Sequence, residues 1–230
     1  MKDVAPIVKQ YLVAGLANKG RGDVPGAKNA FQLAIAEAKR LRDKHGEASA
    51  LFHLGGISRR FDRDLPRARK EISRSLALFE TLGAPFGIGY ALIELGTLDY
   101  QEGKFDKALE KLGRALPVFM DQHHQTGRAM VWHQMGLIEK ARQNYSASER
   151  LFNDSLLIFQ ANGDQNAVGQ VLLSLSDVAV NHHQNLGAAK SLLDRALSIF
   201  EQLGSEFDIE KTRLCLSALQ QLDRGEDPAQ

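Results

Sequence analysis

The sequence predicts an all-α fold, a solenoid of stacked helix hairpins. Three observations carry this: a repeat of about 40 residues runs through nearly the whole chain, apolar residues recur at helical spacing inside each unit, and small residues return at matched places. The composition agrees. There are six prolines in 230 residues, with 43% hydrophobic and 25% charged residues, and the abundant Ala, Leu, Gln, Glu, Lys and Arg favour helix.

The first small column is Gly15, Gly56, Gly96, Gly136 and Ser176, with steps of 41, 40, 40 and 40. A second is Ala27, Ala68, Ala108, Ser148 and Ala189, and a third Ala34, Ser75, Ala115, Ser155 and Ala196. Between these two lies an apolar column, Phe31, Ile72, Leu112, Phe152 and Leu193, and Phe79, Phe119, Phe159 and Phe200 close four even helices. Helices crossing at ~8–10 Å need short side chains where their axes approach, and a Leu at Gly96 or Ala108 would overpack that crossing. A single hairpin cannot bury both faces, so neighbours must stack.

In chain order the expected helices are 4–20, 25–44, 47–61, 65–82, 86–102, 105–121, 126–142, 145–161, 165–181, 186–203 and 206–222. Asp23 before Pro25 and Asp64 before Pro66 mark helix starts. Ser146 with Glu149 reads as a capping box, and Ser205 with Asp208 resembles one. Pro117 removes one backbone hydrogen bond from the sixth helix and is expected to kink it or tighten its last turn. Repeat five carries an extra residue in the loop His182-His183-Gln184-Asn185. The eleventh helix mixes Ile209, Leu214, Leu216 and Leu219 with Glu210, Lys211 and Arg213, as a solvating cap would. Residues 1–222 are thus expected to form one repeat domain, with repeats at 5–46, 47–85, 86–125, 126–165 and 166–205, a capping helix at 206–222 and a flexible tail at 223–230.

Small, aromatic and leucine columns in this order, as in Leu92-x-x-Leu95-Gly96 … Ala108 … Leu112 … Ala115, resemble the tetratricopeptide repeat (TPR). Trp132 matches the family's leading tryptophan, where the other repeats have Tyr11, Phe52, Leu92 and Leu172. The period resembles the longer 40-residue variety rather than the usual 34. The resemblance covers about residues 5–204 and implies a right-handed superhelical solenoid of five TPR-like hairpins plus the capping helix.

The resemblance also implies a concave groove lined by the first helix of each hairpin, at six and three residues before the small mid-helix residue and one and four after it. Repeat one then gives Lys9, Leu12, Leu16 and Lys19, and repeat two Ala50, His53, Ile57 and Arg60. Repeat three gives Tyr90, Ile93, Thr97 and Tyr100, repeat four Met130, His133, Leu137 and Lys140, and repeat five Gln170, Leu173, Asp177 and Val180. Aromatic and aliphatic anchors with a few polar groups suit an extended peptide or amphipathic helix, and half of the Leu and Ile residues are expected to pack against neighbours instead. The carboxylate clamp of chaperone-binding relatives is absent, since its positions hold Leu12, Leu16, Leu54, Tyr90 and Glu94.

Catalytic chemistry finds no footing. Gly87-Ile88-Gly89 opens a helix with no strand before it and so fails as a phosphate loop. The single cysteine, Cys215, lies on an apolar stripe and reads as a small core residue, which also excludes an internal disulfide. The adjacent pairs His123-His124 and His182-His183 diverge, and His53 and His133 sit on equivalent columns two repeats apart, too far to share one ion. No metal and no cofactor is expected, and no enzymatic activity.

The net charge of +1 hides an asymmetry, +8 over residues 1–74 and −7 over 75–230, which can steer partners or drive charge-mediated self-association. The basic cluster Arg59, Arg60, Arg63, Arg67, Arg69, Lys70 and Arg74 is a weak footprint for nucleic acid, which is not an expected partner. No signal-peptide h-region or membrane-length apolar run is present, so the cytoplasm is the expected compartment. The expected function is a non-enzymatic scaffold or adaptor that holds a protein or peptide. The alternative is a sensory or regulatory domain of a larger bacterial transcription or signalling protein.

Overall fold

A computed structural model describes residues 4–224. Eleven helices follow in order among them, with no strand: α1 (Pro6–Gly20), α2 (Val24–Leu41), α3 (Lys44–Arg60), α4 (Leu65–Leu82), α5 (Pro85–Gln101), α6 (Phe105–Asp121), α7 (Gln125–Ala141), α8 (Tyr145–Ala161), α9 (Gln165–Asn181), α10 (Leu186–Leu203) and α11 (Glu206–Asp223). They form two compact units that divide at His123–His124. The first holds three hairpins, α1–α2, α3–α4 and α5–α6; the second holds α7–α8, α9–α10 and the single helix α11. Inside each unit every helix packs on its chain neighbours, and odd helices also touch the next odd helix. Of the tail expected at 223–230, Asp223 ends α11, and residues 225–230 lie outside the described residues.

Helix starts follow the sequence chemistry. Asp23, Asp43, Asp64, Asp164 and Asn185 each accept a hydrogen bond from the backbone N–H three residues on, satisfying a donor that the helix leaves over. At α7 the cap is His124, whose Nδ1 accepts from Gly127 N at 2.9 Å. The third helix begins at Lys44, earlier than expected, because Asp43 caps it while also accepting from Ala5 N at 2.8 Å. Ser146 does not form a capping box. Asn144 occupies the N-cap of α8, while the Ser146 hydroxyl lies 3.3 Å from His182 Nε2 and Glu149 pairs with His183. Ser205 does sit at an N-cap, but its hydroxyl donates to the Asp208 carboxylate instead of accepting from the backbone. The helix α6 runs through Pro117, and its end stays α-helical, with Gln122 N–H donating to Val118 O, so the last turn is not tightened.

The small columns are sockets for large side chains. A Cβ on Gly15 would lie 2.5 Å from the Phe31 ring, and one on Gly136 would lie 2.6 Å from Phe152. About two turns earlier in the odd helices, Gly89 receives Phe119 and Gly169 receives Phe200, with would-be Cβ separations of 2.6 Å in each case. Gly87 takes the Phe79 ring, at 2.4 Å. Gly87 and Gly89 are therefore small for packing, since a side chain at either would displace a ring. Repeat one reverses the volumes. Ala38 stands where the other repeats have Phe, and the fully buried Val8 stands where they have Ala or Gly.

In repeat two the column shifts by one. Gly55, not Gly56, is the socket: its added Cβ would lie 2.5 Å from Ile72 Cγ1 and 3.3 Å from the Ala68 carbonyl, whereas Gly56 has nothing within 4 Å. The socket lies one residue before the expected column because repeat two, like repeat five, has a four-residue turn between its helices. There Asp64 N and Asn185 N reach the carbonyls of Ser58 and Ala179, six residues back. In the three-residue turns Asp23, Lys104 and Asn144 bond five residues back. Counting back from the even helix across the longer turn lands on Gly55.

Between hairpins two and three of the first unit, Asp99 is 2% exposed and accepts from Arg69 Nη2 at 2.9 Å and Lys111 Nζ at 2.5 Å. The helix α11 repeats the register of α9, but Glu210, Arg213, Ser217 and Gln220 stand where α9 carries Gly169, Leu172, Ser176 and Ala179 toward α10. That face of α11 is polar, as a cap requires.

Candidate functional site: the face shared by the odd helices

Correcting repeat two to Gly55 moves its lining positions to Ser49, Phe52, Gly56 and Arg59, all half-buried, in place of Ala50, His53, Ile57 and Arg60. Ala50 and Ile57 are fully buried; Ile57 packs with Leu12, Phe31 and Leu54. Neither has surface to offer a partner, because each points into the hairpin core. His53 is half-buried, its ring stacked 5.2 Å from Phe31 and edge-on to Phe52. Burial, and then the Lys19 ammonium, pull its pKa down to about 4. Arg60 is exposed with its guanidinium 6.0 Å above the Phe61 ring. The shifted register also means that His53 and His133 do not occupy equivalent columns.

In repeat three, Ile93 is 2% exposed and belongs to the core. Tyr90, Thr97 and Tyr100 stay half-exposed. Tyr90 leans edge-on against Phe119 at 5.2 Å, and burial pushes its phenol pKa up. Thr97 donates to Ile93 O, and Tyr100 lies 6.0 Å from Phe105. Arg59 Nε on α3 donates to Glu94 on α5 at 2.9 Å, tying neighbouring odd helices together.

The second unit presents Met130, His133, Leu137 and Lys140 on α7 and Gln170, Asp177 and Val180 on α9, all half-buried, while Leu173 is buried. His133 lies 5.6 Å from the Phe152 ring, with Nε2 3.2 Å from Ser174 Oγ. Burial, then Lys140 and Lys211, lower its pKa to about 4. Lys140 pairs with Asp177, and Gln170 donates to the buried Asp208 of α11 at 2.8 Å. Cys215 sits half-buried beside this face, its thiol pKa raised by burial and then by Asp177.

Each unit thus brings its half-exposed odd-helix residues onto one face, while the position three before the small residue mostly turns inward, as at Leu12, Ile93 and Leu173. The sequence pattern did not place Phe52 and Arg59 on this face, because the expected helices leave three residues between α3 and α4 where the structure has four. Among the described residues, no group of three His, Cys, Asp or Glu could hold a metal ion, and no helix is long and apolar enough to cross a membrane. The basic cluster is largely internally paired: Arg67 with Glu71, Arg69 with Asp99 and Glu102, and Arg74 with Glu47.

No protein-family model and no curated protein matches the chain. Solved structures do. A Rap protein complexed with competence and sporulation factor aligns at 16% identity and TM-score 0.78, over 89% of this chain and 57% of its own. A putative kinesin light chain from Podosopora anserina with nearly identical TPR-like repeats aligns at 13% identity and TM-score 0.59, over 86% of this chain and 97% of its own. A signal-transduction ATPase with a tetratricopeptide repeat sensor, from Pyrococcus horikoshii, aligns at 13% identity and TM-score 0.65, over 96% of this chain and 34% of its own. The chain spans little more than half the length of the Rap protein and a third of the ATPase. At these identities the likeness is one of fold, and the fold is that of a TPR-type repeat protein.

Proposed function

We propose that this TPR-type chain is a non-enzymatic scaffold that holds a segment of a protein partner against its odd-helix faces. The carrying observation is the residue pattern on those faces: Phe52, Tyr90, Tyr100, Met130 and Leu137 remain half-exposed beside Arg59, Thr97, Lys140 and Asp177, although most residues next to them in the chain, such as Ala91, Val131 and Ile138, are buried. Apolar anchors interleaved with polar groups give a peptide both affinity and register. The solved complex of a Rap protein with competence and sporulation factor supports a partner-binding role for this fold. To test it, partners that co-purify with the intact chain are identified by mass spectrometry and titrated against Tyr100→Ala in the first unit and Leu137→Ala in the second. A loss of binding in either variant with an unchanged helical circular dichroism spectrum is expected. Wild-type affinity in both would reject the proposal.

A second reading, a sensory domain within a larger signalling protein, is favoured by the ATPase whose TPR portion is described as a sensor. An ATPase or DNA-binding domain encoded in the same reading frame would favour it over the adaptor.

A further inference from the structure

The corner between α2 and α3 carries Lys39, Arg40, Arg42 and Lys44 within residues 39–45, all four exposed. The corresponding stretches at the other even-to-odd turns, 80–86, 120–126, 160–166 and 201–207, hold no Lys or Arg. The fold therefore does not call for cations here. Lys39 and Arg40 do suit the last turn of α2, but the other two stand where local rules disfavour them. Arg42 takes a left-handed φ of 56°, in a place that Gly83, Gly163 and Gly204 occupy in other repeats, and a side chain there strains the backbone. Lys44 opens α3, although a helix N-terminus repels positive charge, and no other described helix starts on a cation. The acids nearest in the chain are already committed. Glu37 pairs with Arg40 at 2.8 Å, and the buried Glu47 pairs with Arg74. The Asp43 carboxylate accepts from Gly46 N and Ala5 N, each at 2.8 Å. Lys39, Arg42 and Lys44 form no ion pair among the described residues. Like charges held this close repel one another, and a carboxylate brought among them relieves that repulsion.

We propose that this corner is a second interaction surface, separate from the odd-helix faces, and that it takes a short acidic segment of a partner protein. Carboxylates fit because the Arg42 guanidinium holds one through two parallel hydrogen bonds, while Lys39 and Lys44 flank it in the chain to take others. A flexible segment can follow a convex turn as it binds. A nucleic acid fits less well, since residues 39–45 include no Phe, Tyr or Trp on which a base would stack. The −7 balance of residues 75–230 also opposes a long polyanion or an anionic membrane more than it opposes a short segment.

The test is fluorescence anisotropy on the full chain with two labelled peptides, ends blocked, one alternating Glu with Ser and the other Gln with Ser. The Glu probe should bind about ten-fold more tightly at about 50 mM salt, and the advantage should shrink toward parity at about 500 mM. Arg42→Gly combined with Lys44→Gln should remove most of that advantage. The same pair should raise the thermal midpoint, because each change relieves a local strain of the folded chain. Cations that merely hold the turn together would lower the midpoint when removed. Lys107→Gln combined with Arg195→Gln, an equal loss of exposed charge elsewhere, should leave the advantage intact. So should Tyr100→Ala on the odd-helix face, which keeps this surface distinguishable from the scaffold reading. Equal affinity for the two probes, equal effects of the two double variants, a loss of the advantage in Tyr100→Ala, or a lower midpoint in Arg42→Gly with Lys44→Gln each overturn the proposal. Tighter binding of an oligothymidine or of phosphatidylserine vesicles, abolished by that same double variant, overturns it as well.

Discussion

Adjacent glycines in α3 offer a sharp test of the packing register, because only one of them is a socket. In Gly56→Ala the new methyl meets nothing within 4 Å, so the variant gains roughly 0.5–1 kcal/mol from the lower backbone entropy of the unfolded chain. In Gly55→Ala the same gain is opposed by contacts at 2.5 and 3.2 Å with Ile72 and 3.3 Å with the Ala68 carbonyl. The Ile72 side chain is fully buried and cannot swing away without moving its neighbours, and the carbonyl belongs to the α4 backbone. Overpacking of this kind costs about 1–3 kcal/mol. The two variants should therefore differ by about 1–3 kcal/mol, with Gly56→Ala at or above wild type and Gly55→Ala at or below it. At roughly 2–4 °C per kcal/mol for a chain of this size, thermal melts followed at 222 nm resolve the difference, and urea titrations give it independently. In an Ile72→Ala background, costly in itself, most of the Gly55→Ala penalty should disappear, because the Ile72 atoms it meets have gone and only the 3.3 Å approach to the Ala68 carbonyl remains. Equal stability of the two single variants, or a penalty confined to Gly56, would refute the register and with it the corrected lining of repeat two.

Buried histidines and left-handed turn residues give two further tests. His53 and His133 have folded pKa values of about 4 against ~6.5 unfolded, so the unfolded chain takes up protons first. Stability is fully present above about pH 6.5 and declines toward pH 4, by roughly 1–2 kcal/mol per histidine at pH 5 after allowance for their partial exposure; urea midpoints at pH 7, 6 and 5 should fall for wild type and flatten in His133→Gln, and parallel slopes would discount burial as the cause. Arg63 and Gln143 hold left-handed φ values of 55° and 63° in turns where Gly22 and Gly103 occupy the corresponding place, so Arg63→Gly and Gln143→Gly should each stabilise by about 0.5–1 kcal/mol; a lower midpoint in either would show that the side chain contributes more than the backbone strain costs.

Much of the fold was legible in the chain because it rests on short-range rules. A 40-residue period, a helical apolar stripe and an aspartate before a turn of helix need no knowledge of distant contacts, and all eleven helices, the Asp23 and Asp64 caps and the polar cap helix follow from them. The site was legible only as columns. Two glycines in a row, Gly55 and Gly56, satisfy the same small-residue pattern, and the unequal turn lengths that choose between them have no composition signal. Ionic partners were hidden for a similar reason: Asp99 with Lys111 and Arg74 with Glu47 meet across a hairpin, while Arg59 reaches Glu94 across 35 residues, and a basic run reads as a basic patch until those acids are located.

The sequence by itself therefore determined that this protein is a row of helix hairpins with small-to-large sockets, since periodicity and side-chain volume are properties of the chain. Only the tertiary structure decided which glycine receives Ile72, which lining residues keep any surface, and which acids meet Arg59, Arg69 and Arg74. Those outcomes depend on where one helix lies on the next to within about one residue's rise of ~1.5 Å, and on charges brought together from distant positions, neither of which local pattern encodes.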